Sequence, residues 1–374
     1  MTYSQSDIQF MQQALTLAWQ AKGKTFPNPA VGALVISPEG TVVGQGATDV
    51  CGGPHAEKTA LKEAGPLARG ATLYVTLEPC SHFGRTPPCA DAVIEAGIKK
   101  VFVAVKDPNP LVSGKGIAKL KASGIEVHSG LLRDEAEVIN EDFFWAITRK
   151  RAWVTLKLAM TLDGRIADSN GTSKWITSPD SRAFVQELRR CHAAIGVGRT
   201  TLEQDDPRLT ARVNTTCYPA RIVFSPDTHI PQNSYFFQYA HEARSIVVLR
   251  GGNEPHIIRK GNLEFWHTAA TQTGASLFNF LQMAENEGLS SIFIEGGQRL
   301  ASHFLENNLV NKLYLFYGNK IVGRGREGIH FSQGLDLNSS LSLHRIEHRY
   351  FGSDTLISGY LGEEAGGQKP ETSF

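Results

Sequence analysis

Two successive series of strand and helix patterns, parting near residue 150, constrain this chain more than any other feature of its sequence. In the first series, apolar residues recur at helical spacing over residues 7–21 (Ile8, Met11, Leu15, Ala18, Trp19), with Asp7 near the N-cap. Residues 30–36 and 41–46 read as a strand pair around the turn Pro38-Glu39-Gly40. Helices are predicted at 55–64, 89–96, 113–122 and 134–148, and strands at 71–77, 101–105 and 125–128. Strands separated by helices imply an α/β layered domain with a largely parallel or mixed sheet.

The second series begins after the charged link Arg149-Lys150-Arg151, at Trp153-Val154-Thr155-Leu156. Strands are predicted at 193–197, 220–224, 245–249, 291–295, 312–317 and 355–360, and helices at 179–190, 276–286 and 298–307. A chain of 374 residues is comfortable as two domains. The expected division is 1–150 and 151–362, with the polar, Gly- and Glu-rich stretch 363–374 as a disordered tail.

Several classes of function are disfavoured. A formal net charge of +1 with no long basic run gives no standing reason to bind nucleic acid. No stretch approaches the roughly 18 apolar residues that span a bilayer, and residues 1–17 lack the order of a secretory signal. Five cysteines, an odd number in a large chain, argue against a disulfide framework and for a reducing compartment, the cytoplasm.

The chemistry-bearing pattern is His55-Ala56-Glu57, followed by Pro79-Cys80 and then Cys89. One imidazole and two thiolates make a three-ligand zinc site, leaving a fourth position for water, whose pKa zinc lowers toward about 7. Glu57 lies two residues beyond His55, close enough to share the pocket without ligating the metal and to move protons between water and a ring nitrogen. This is the zinc-deaminase arrangement. Cys89 falls at a predicted helix N-terminus, where the dipole favours a thiolate. A structural zinc site would need a fourth protein ligand, for which Cys51 is the nearby thiol.

Between Cys80 and Cys89 stand eight residues, unlike the Cys-x-x-Cys of cytidine and tRNA adenosine deaminases. The string from Leu77 to Cys89, with Pro27-Asn28-Pro29-Ala30-Val31-Gly32 and Lys106-Asp107-Pro108-Asn109-Pro110, closely resembles the bifunctional riboflavin-biosynthesis deaminase–reductases. The resemblance implies a cytidine-deaminase-like three-layer domain. Its zinc aminohydrolase activity would act on 2,5-diamino-6-(5-phosphoribosylamino)pyrimidin-4-one. It further implies that Asn28 and His82 contact the pyrimidine ring, while Arg85, Asp107 and Asn109 serve the ring or the ribose phosphate. One departure is visible: Thr48 stands where the family usually carries a histidine.

In the second half there is no Gly-x-Gly-x-x-Gly after the first strand. Gly196-Val197-Gly198 and Glu295-Gly296-Gly297 each follow a predicted strand, where backbone amides can approach a phosphate or simply turn the chain. Here too the resemblance extends, through Lys157-Leu158-Ala159-Met160-Thr161-Leu162-Asp163-Gly164-Arg165, Ser173-Lys174-Trp175-Ile176-Thr177-Ser178 and Asp205-Asp206-Pro207-Arg208-Leu209-Thr210. It implies a dihydrofolate-reductase-like domain that uses NADPH to turn the ribosylamino arm into ribitylamino, giving 5-amino-6-(5-phosphoribitylamino)uracil. By position, Ala159, Trp175, Thr201, Asp205, Ser225 and Gly297, Gln298, Arg299, Leu300, Ala301, Ser302 and His303 would contact the cofactor. Ser173, Arg189, Leu209, Arg212 and Glu295 would contact the substrate, with Arg189 and Arg212 fit for a phosphate clamp and Lys157 for electrostatic assistance. The implied protein is a cytoplasmic homo-oligomer, dimer or tetramer, whose partner is a phosphorylated pyrimidine.

Two rival readings differ in class. A nucleic-acid or nucleoside deaminase with an accessory nucleotide-binding domain predicts a basic surface and aromatic stacking platforms, against the near-neutral charge. A zinc-stabilised regulatory protein predicts metal-dependent stability without ammonia release.

Overall fold

The computed structural model describes residues 3–81, 87–110, 112–213, 218–269 and 273–362. Its internal contacts divide the chain into two units, Met1–Arg149 and Lys150–Phe374.

The first unit opens with α1 (Gln5–Ala21). Its N-cap is Ser4, three residues ahead of the expected Asp7, because Ser4 and Asp7 bond each other's backbone amides in a capping box. The hairpin β1 (Gly32–Ile36) and β2 (Val42–Ala47) follows, then α2 (Ala56–Ala64), β3 (Thr72–Leu77), α3 (Cys89–Glu95), β4 (Lys100–Val105), α4 (Lys115–Ala122) and β5 (Glu126–Ser129). The helices α5 (Arg133–Ile139) and α6 (Glu141–Arg149) close the unit where one helix is predicted. The break is Asn140, whose buried carboxamide accepts from the Ala30 N–H and donates to the Ala30 carbonyl, both at 2.8 Å.

The strand order is β2-β1-β3-β4-β5, parallel from β3 to β5 and antiparallel around β1. Glycines show how helices cover both faces. A Cβ on Gly32 would lie 1.9 Å from the Ala14 carbonyl of α1, and one on Gly46 would lie 2.3 Å from the Ala56 carbonyl of α2. Gly46 pairs with Ala33, so it faces away from Gly32 and the two helices pack on opposite sides. Three layers result, and β1 is buried along its whole length.

The second unit runs β6 (Trp153–Thr161), β7 (Arg165–Asp168), α7 (Pro179–Arg190), β8 (Ala194–Gly198), α8 (Arg199–Asp205), β9 (Ala220–Ser225), α9 (Tyr235–Gln238) and β10 (Ser245–Arg250). It continues with β11 (His256–Lys260), β12 (Leu263–Thr268), α10 (Thr273–Asn286), β13 (Ser291–Ile294), α11 (Gln298–Glu306), β14 (Lys312–Gly318), β15 (Gly325–Glu327), β16 (His344–Phe351) and β17 (Asp354–Tyr360). Ten strands form one sheet, β11-β12-β10-β9-β8-β13-β6-β14-β17-β16, parallel from β12 to β14 and antiparallel at both ends. β7 and β15 pair separately. The edge strands β11 and β16 were not predicted: both are largely exposed and carry no alternating burial for a pattern to reveal.

Candidate active sites

In the first unit the ends of three elements converge. His55 is the N-cap of α2, in extended conformation, which places Glu57 in the first helical turn. β3 leads into Glu78-Pro79-Cys80, and α3 begins at Cys89 behind Pro88. The His55 Nδ1 lies 3.3 Å from Cys89 Sγ and 3.8 Å from Cys80 Sγ, and the three atoms are all within 4.8 Å of one another. A tetrahedral ion with zinc–nitrogen and zinc–sulfur distances of about 2.0 and 2.3 Å separates such atoms by about 3.5 Å. The donor set therefore fits zinc in chemistry and in spacing. Among the described residues the cluster comprises these three, and Cys51 is exposed outside it.

Electrostatics agree with the geometry. Cys80 accepts from the Cys89 thiol and from its backbone N–H at 3.3 Å, and these bonds hold its thiol well below the ordinary thiol range. Cys89 is pushed up by that same bond and by burial, so one proton serves two sulfurs, and metal binding would release it. Glu57 is 3% exposed, and burial pushes its carboxyl up to about 7. A carboxyl poised there can both take and give a proton at neutral pH.

The other first-unit residues expected at the site are distributed as follows. The Asn28 backbone is locked in a turn by Thr25, through bonds of 2.8 and 2.9 Å, and its carboxamide is half-buried. Asp107 is buried beyond β4, and its Oδ1 accepts from the Asn109 N–H at 2.8 Å. His82 and Arg85 lie outside the described residues. Thr48 is structural here: its buried hydroxyl accepts from the Val31 N–H at 3.0 Å and closes the hairpin. Glu78, for which the sequence suggested no role, is buried beside the Cys80 turn and accepts from four backbone amides.

In the second unit, a cavity of about 710 Å³ lies at the carboxyl ends of β8, β9 and β10, where Gly198, Ser225 and Arg250 line it. Such a crevice suits a nucleotide. Of the residues expected to hold cofactor, Thr201, Ser225, Gly297, Gln298, Arg299, Leu300 and His303 line it. Ala159, Trp175, Asp205, Ala301 and Ser302 are not among its lining residues. Ala301 and Ser302 are buried in α11, and the Ser302 hydroxyl accepts from the His330 N–H. Trp175 is exposed, with the Arg182 guanidinium 4.3 Å from its ring centroid.

Gly297 caps α11, and a Cβ there would lie 3.0 Å from the Thr201 hydroxyl, so the backbone offers a close cradle for a phosphate. Arg199, Arg250, Arg299 and Arg326 surround it, matching the charge of NADPH. Sequence reasoning missed Arg199, Arg250 and Arg326. The structure places Gly196-Val197-Gly198 within β8 and not after it as expected; Arg199 directly follows them and could have been found there.

The residues expected to hold substrate form two groups. Arg189 donates to both carboxylate oxygens of Glu295, from Nη2 at 2.8 Å and from Nε, and its Nη1 donates to the Thr210 carbonyl at 3.0 Å. Burial alone would raise Glu295, but Arg189 outweighs it and, with Lys157 and Arg212, holds the carboxyl below its ordinary range. Burial pulls Lys157 down, with Glu295 opposing. Leu209 is buried, whereas Arg212 is exposed, and its N–H donates to Gln186. In the second group the Ser173 hydroxyl donates to Asp205 at 3.3 Å.

The family model of the RibD C-terminal domain matches residues 152–357, and that of the cytidine and deoxycytidylate deaminase zinc-binding region matches residues 4–105. The riboflavin biosynthesis protein RibD of Aquifex aeolicus is 46% identical over 320 residues, covering 85% of this chain and 88% of its own. That of Escherichia coli is 35% identical over 373 residues, covering 94% and 98%. Among solved structures, RibD of Acinetobacter baumannii superposes with a TM-score of 0.84 at 31% identity, covering 96% of this chain and 99% of its own. A Thermotoga maritima diaminohydroxyphosphoribosylaminopyrimidine deaminase/5-amino-6-(5-phosphoribosylamino)uracil reductase gives 0.83 at 34% identity with the same coverage.

Proposed function

The chain belongs to the family of the riboflavin biosynthesis protein RibD, and from that footing we propose how its residues divide the work of a deaminase and a reductase. It is a bifunctional enzyme of riboflavin biosynthesis, a zinc hydrolase and an NADPH-dependent oxidoreductase. We assign deamination to residues 1–150 and reduction to residues 151–362.

His55, Cys80 and Cys89 would hold the zinc, which when bound supplies the Lewis acidity that makes a solvent molecule nucleophilic at neutral pH. Glu57 takes a proton from the attacking solvent and passes it to a ring nitrogen, then takes the second proton from the new hydroxyl and gives it to the departing amine, so that ammonia leaves and an oxo group replaces it. Asn28 offers a donor and an acceptor to the ring edge, and His82, Arg85, Asp107 and Asn109 are assigned to the ring and the phosphoribosyl arm. The observation that carries this reading is the cluster of three side chains able to hold a metal beside a buried carboxyl.

In the second unit the 710 Å³ cavity receives NADPH, which when bound supplies the hydride. Thr201, Ser225, Gly297, Gln298, Arg299, Leu300 and His303 hold it, with Ala159, Trp175 and Asp205 assigned to its remaining contacts. Lys157, Ser173, Arg189, Leu209, Arg212 and Glu295 orient the ring-opened sugar and its phosphate. Arg189 already spans Glu295 and the Thr210 carbonyl, so it braces this wall, while exposed Arg212 is the more available of the two for phosphate.

No helix among the described residues is long and apolar enough to cross a membrane. We place the enzyme in the cytoplasm, on the strength of its odd cysteine count, and expect a homo-oligomer. The decisive experiment incubates the protein with 2,5-diamino-6-(5-phosphoribosylamino)pyrimidin-4-one, following ammonia and NADPH absorbance separately. Ammonia should appear without NADPH, and NADPH should be consumed only after deamination. A strong chelator should stop the first signal while the deaminated intermediate is still reduced. NADPH consumption without ammonia release would contradict the division.

A further inference from the structure

We propose that Glu78 is a positioning residue of the deaminase, holding the segment that carries Asp107 and Asn109 against the metal-ligating turn and thereby setting substrate affinity. The proposal rests on the deaminase reading of the first unit.

Glu78 joins the ends of β3 and β4. Its backbone N–H donates to the Val105 carbonyl at 2.9 Å. Its side chain, 3% exposed, reaches past β4. Oε2 accepts from the Asp107 N–H at 3.3 Å and the Gly114 N–H at 2.9 Å, and Oε1 accepts from the Gly116 and Ile117 N–H groups at 3.0 and 3.2 Å. Gly114, the N-cap of α4, has no side chain to offer, so a carboxylate from another strand satisfies the orphan amides at that helix start. The contact is close. A Cβ on Gly116 would lie 1.9 Å from the Pro79 carbonyl, one residue from Cys80.

What Glu78 holds is the substrate side of the pocket. The Asp107 backbone hangs on Glu78, and the Asp107 carboxylate in turn fixes the Asn109 N–H. The metal side has its own supports: His55 at the start of α2, Cys89 at the start of α3, and the Cys89 N–H on Cys80 Sγ at 3.3 Å. Glutamine at 78 keeps the volume but turns an NH₂ toward backbone donors, leaving part of the set unpaired.

The test compares Glu78→Gln with wild type, using the diaminopyrimidinone phosphate as substrate. KM for deamination should rise about tenfold or more, the scale of a lost charge-assisted bond network, with kcat changed less than about threefold. Zinc should stay at one per chain and NADPH-dependent reduction of the deaminated intermediate should be unaltered. Gly116→Ala, which pushes the same segment off Pro79, should raise KM in the same way, and decides the matter if Glu78→Gln does not fold. An unchanged KM in the variants that fold, or loss of zinc from them, overturns the proposal. Absence of ammonia release from wild type overturns the deaminase reading and the proposal with it.

Discussion

Glu57 is buried in the first turn of α2 beside His55, Cys80 and Cys89, and that surrounding decides what its carboxyl can do. Burial raises it to about 7, against the partial relief given by its own backbone amide. It belongs to no ligand group, so its loss should spare the metal. Glu57→Gln is therefore expected to lower ammonia release by about two to four orders of magnitude, the usual worth of general acid–base catalysis, with zinc content by elemental analysis unchanged. Loss of zinc from this variant would instead make Glu57 part of the ligand scaffold. At this scale the zinc site was legible, because His55, Glu57, Cys80 and Cys89 form an ordered pattern of rare residue types within one short stretch. Glu78 was not. Its partners are backbone amides 29 to 39 positions away, and an amide has no sequence signature. The arginines at 250 and 326 escaped for a similar reason, since they lie on strands of different sheets, β10 and β15, that only the fold brings to one cavity.

Elements position these side chains through close backbone contact, and β2 meets α2 in this way. A Cβ on Gly46 would approach the Ala56 carbonyl to 2.3 Å and the Ala60 nitrogen to 2.7 Å, atoms of the helix that carries His55 and Glu57 at its start. Gly46→Ala must therefore lift α2 from the sheet. Overpacking of this kind costs about 1–3 kcal/mol, and the expected result is a lower melting temperature with faster loss of zinc to a competing chelator. NADPH-dependent reduction should persist. A variant that keeps both melting temperature and zinc would show that α2 is not held at this contact. Periodicity found the buried elements of the first unit to within about two residues at either end. It failed where a distant partner intervenes, as Asn140 does by turning to Ala30, and where burial has no period, as along β11.

For the whole molecule, the open question is what covers β16. It closes one end of the ten-stranded sheet, seven of its eight residues are exposed, and Ile346 and Tyr350 are 52% and 75% accessible. Long exposed edges invite pairing with another chain. The sequence of β16 suits a second copy of itself. In an antiparallel pair centred on His348, Glu347 would oppose Arg349 of the second copy and Ile346 would oppose Tyr350, each match occurring twice by symmetry. A wild type that pairs through this edge should sediment as a dimer at micromolar concentration, and replacing Ile346 and Tyr350 together with aspartate, which sets like charges opposite each other and removes the apolar match, should then give a monomer. Four strands separate β16 from β8, the nearest strand of the NADPH cavity, so NADPH binding should survive in that monomer and distinguishes a lost interface from a misfolded unit. If the variant sediments as the wild type does, the copies meet on another surface and this edge is left to solvent.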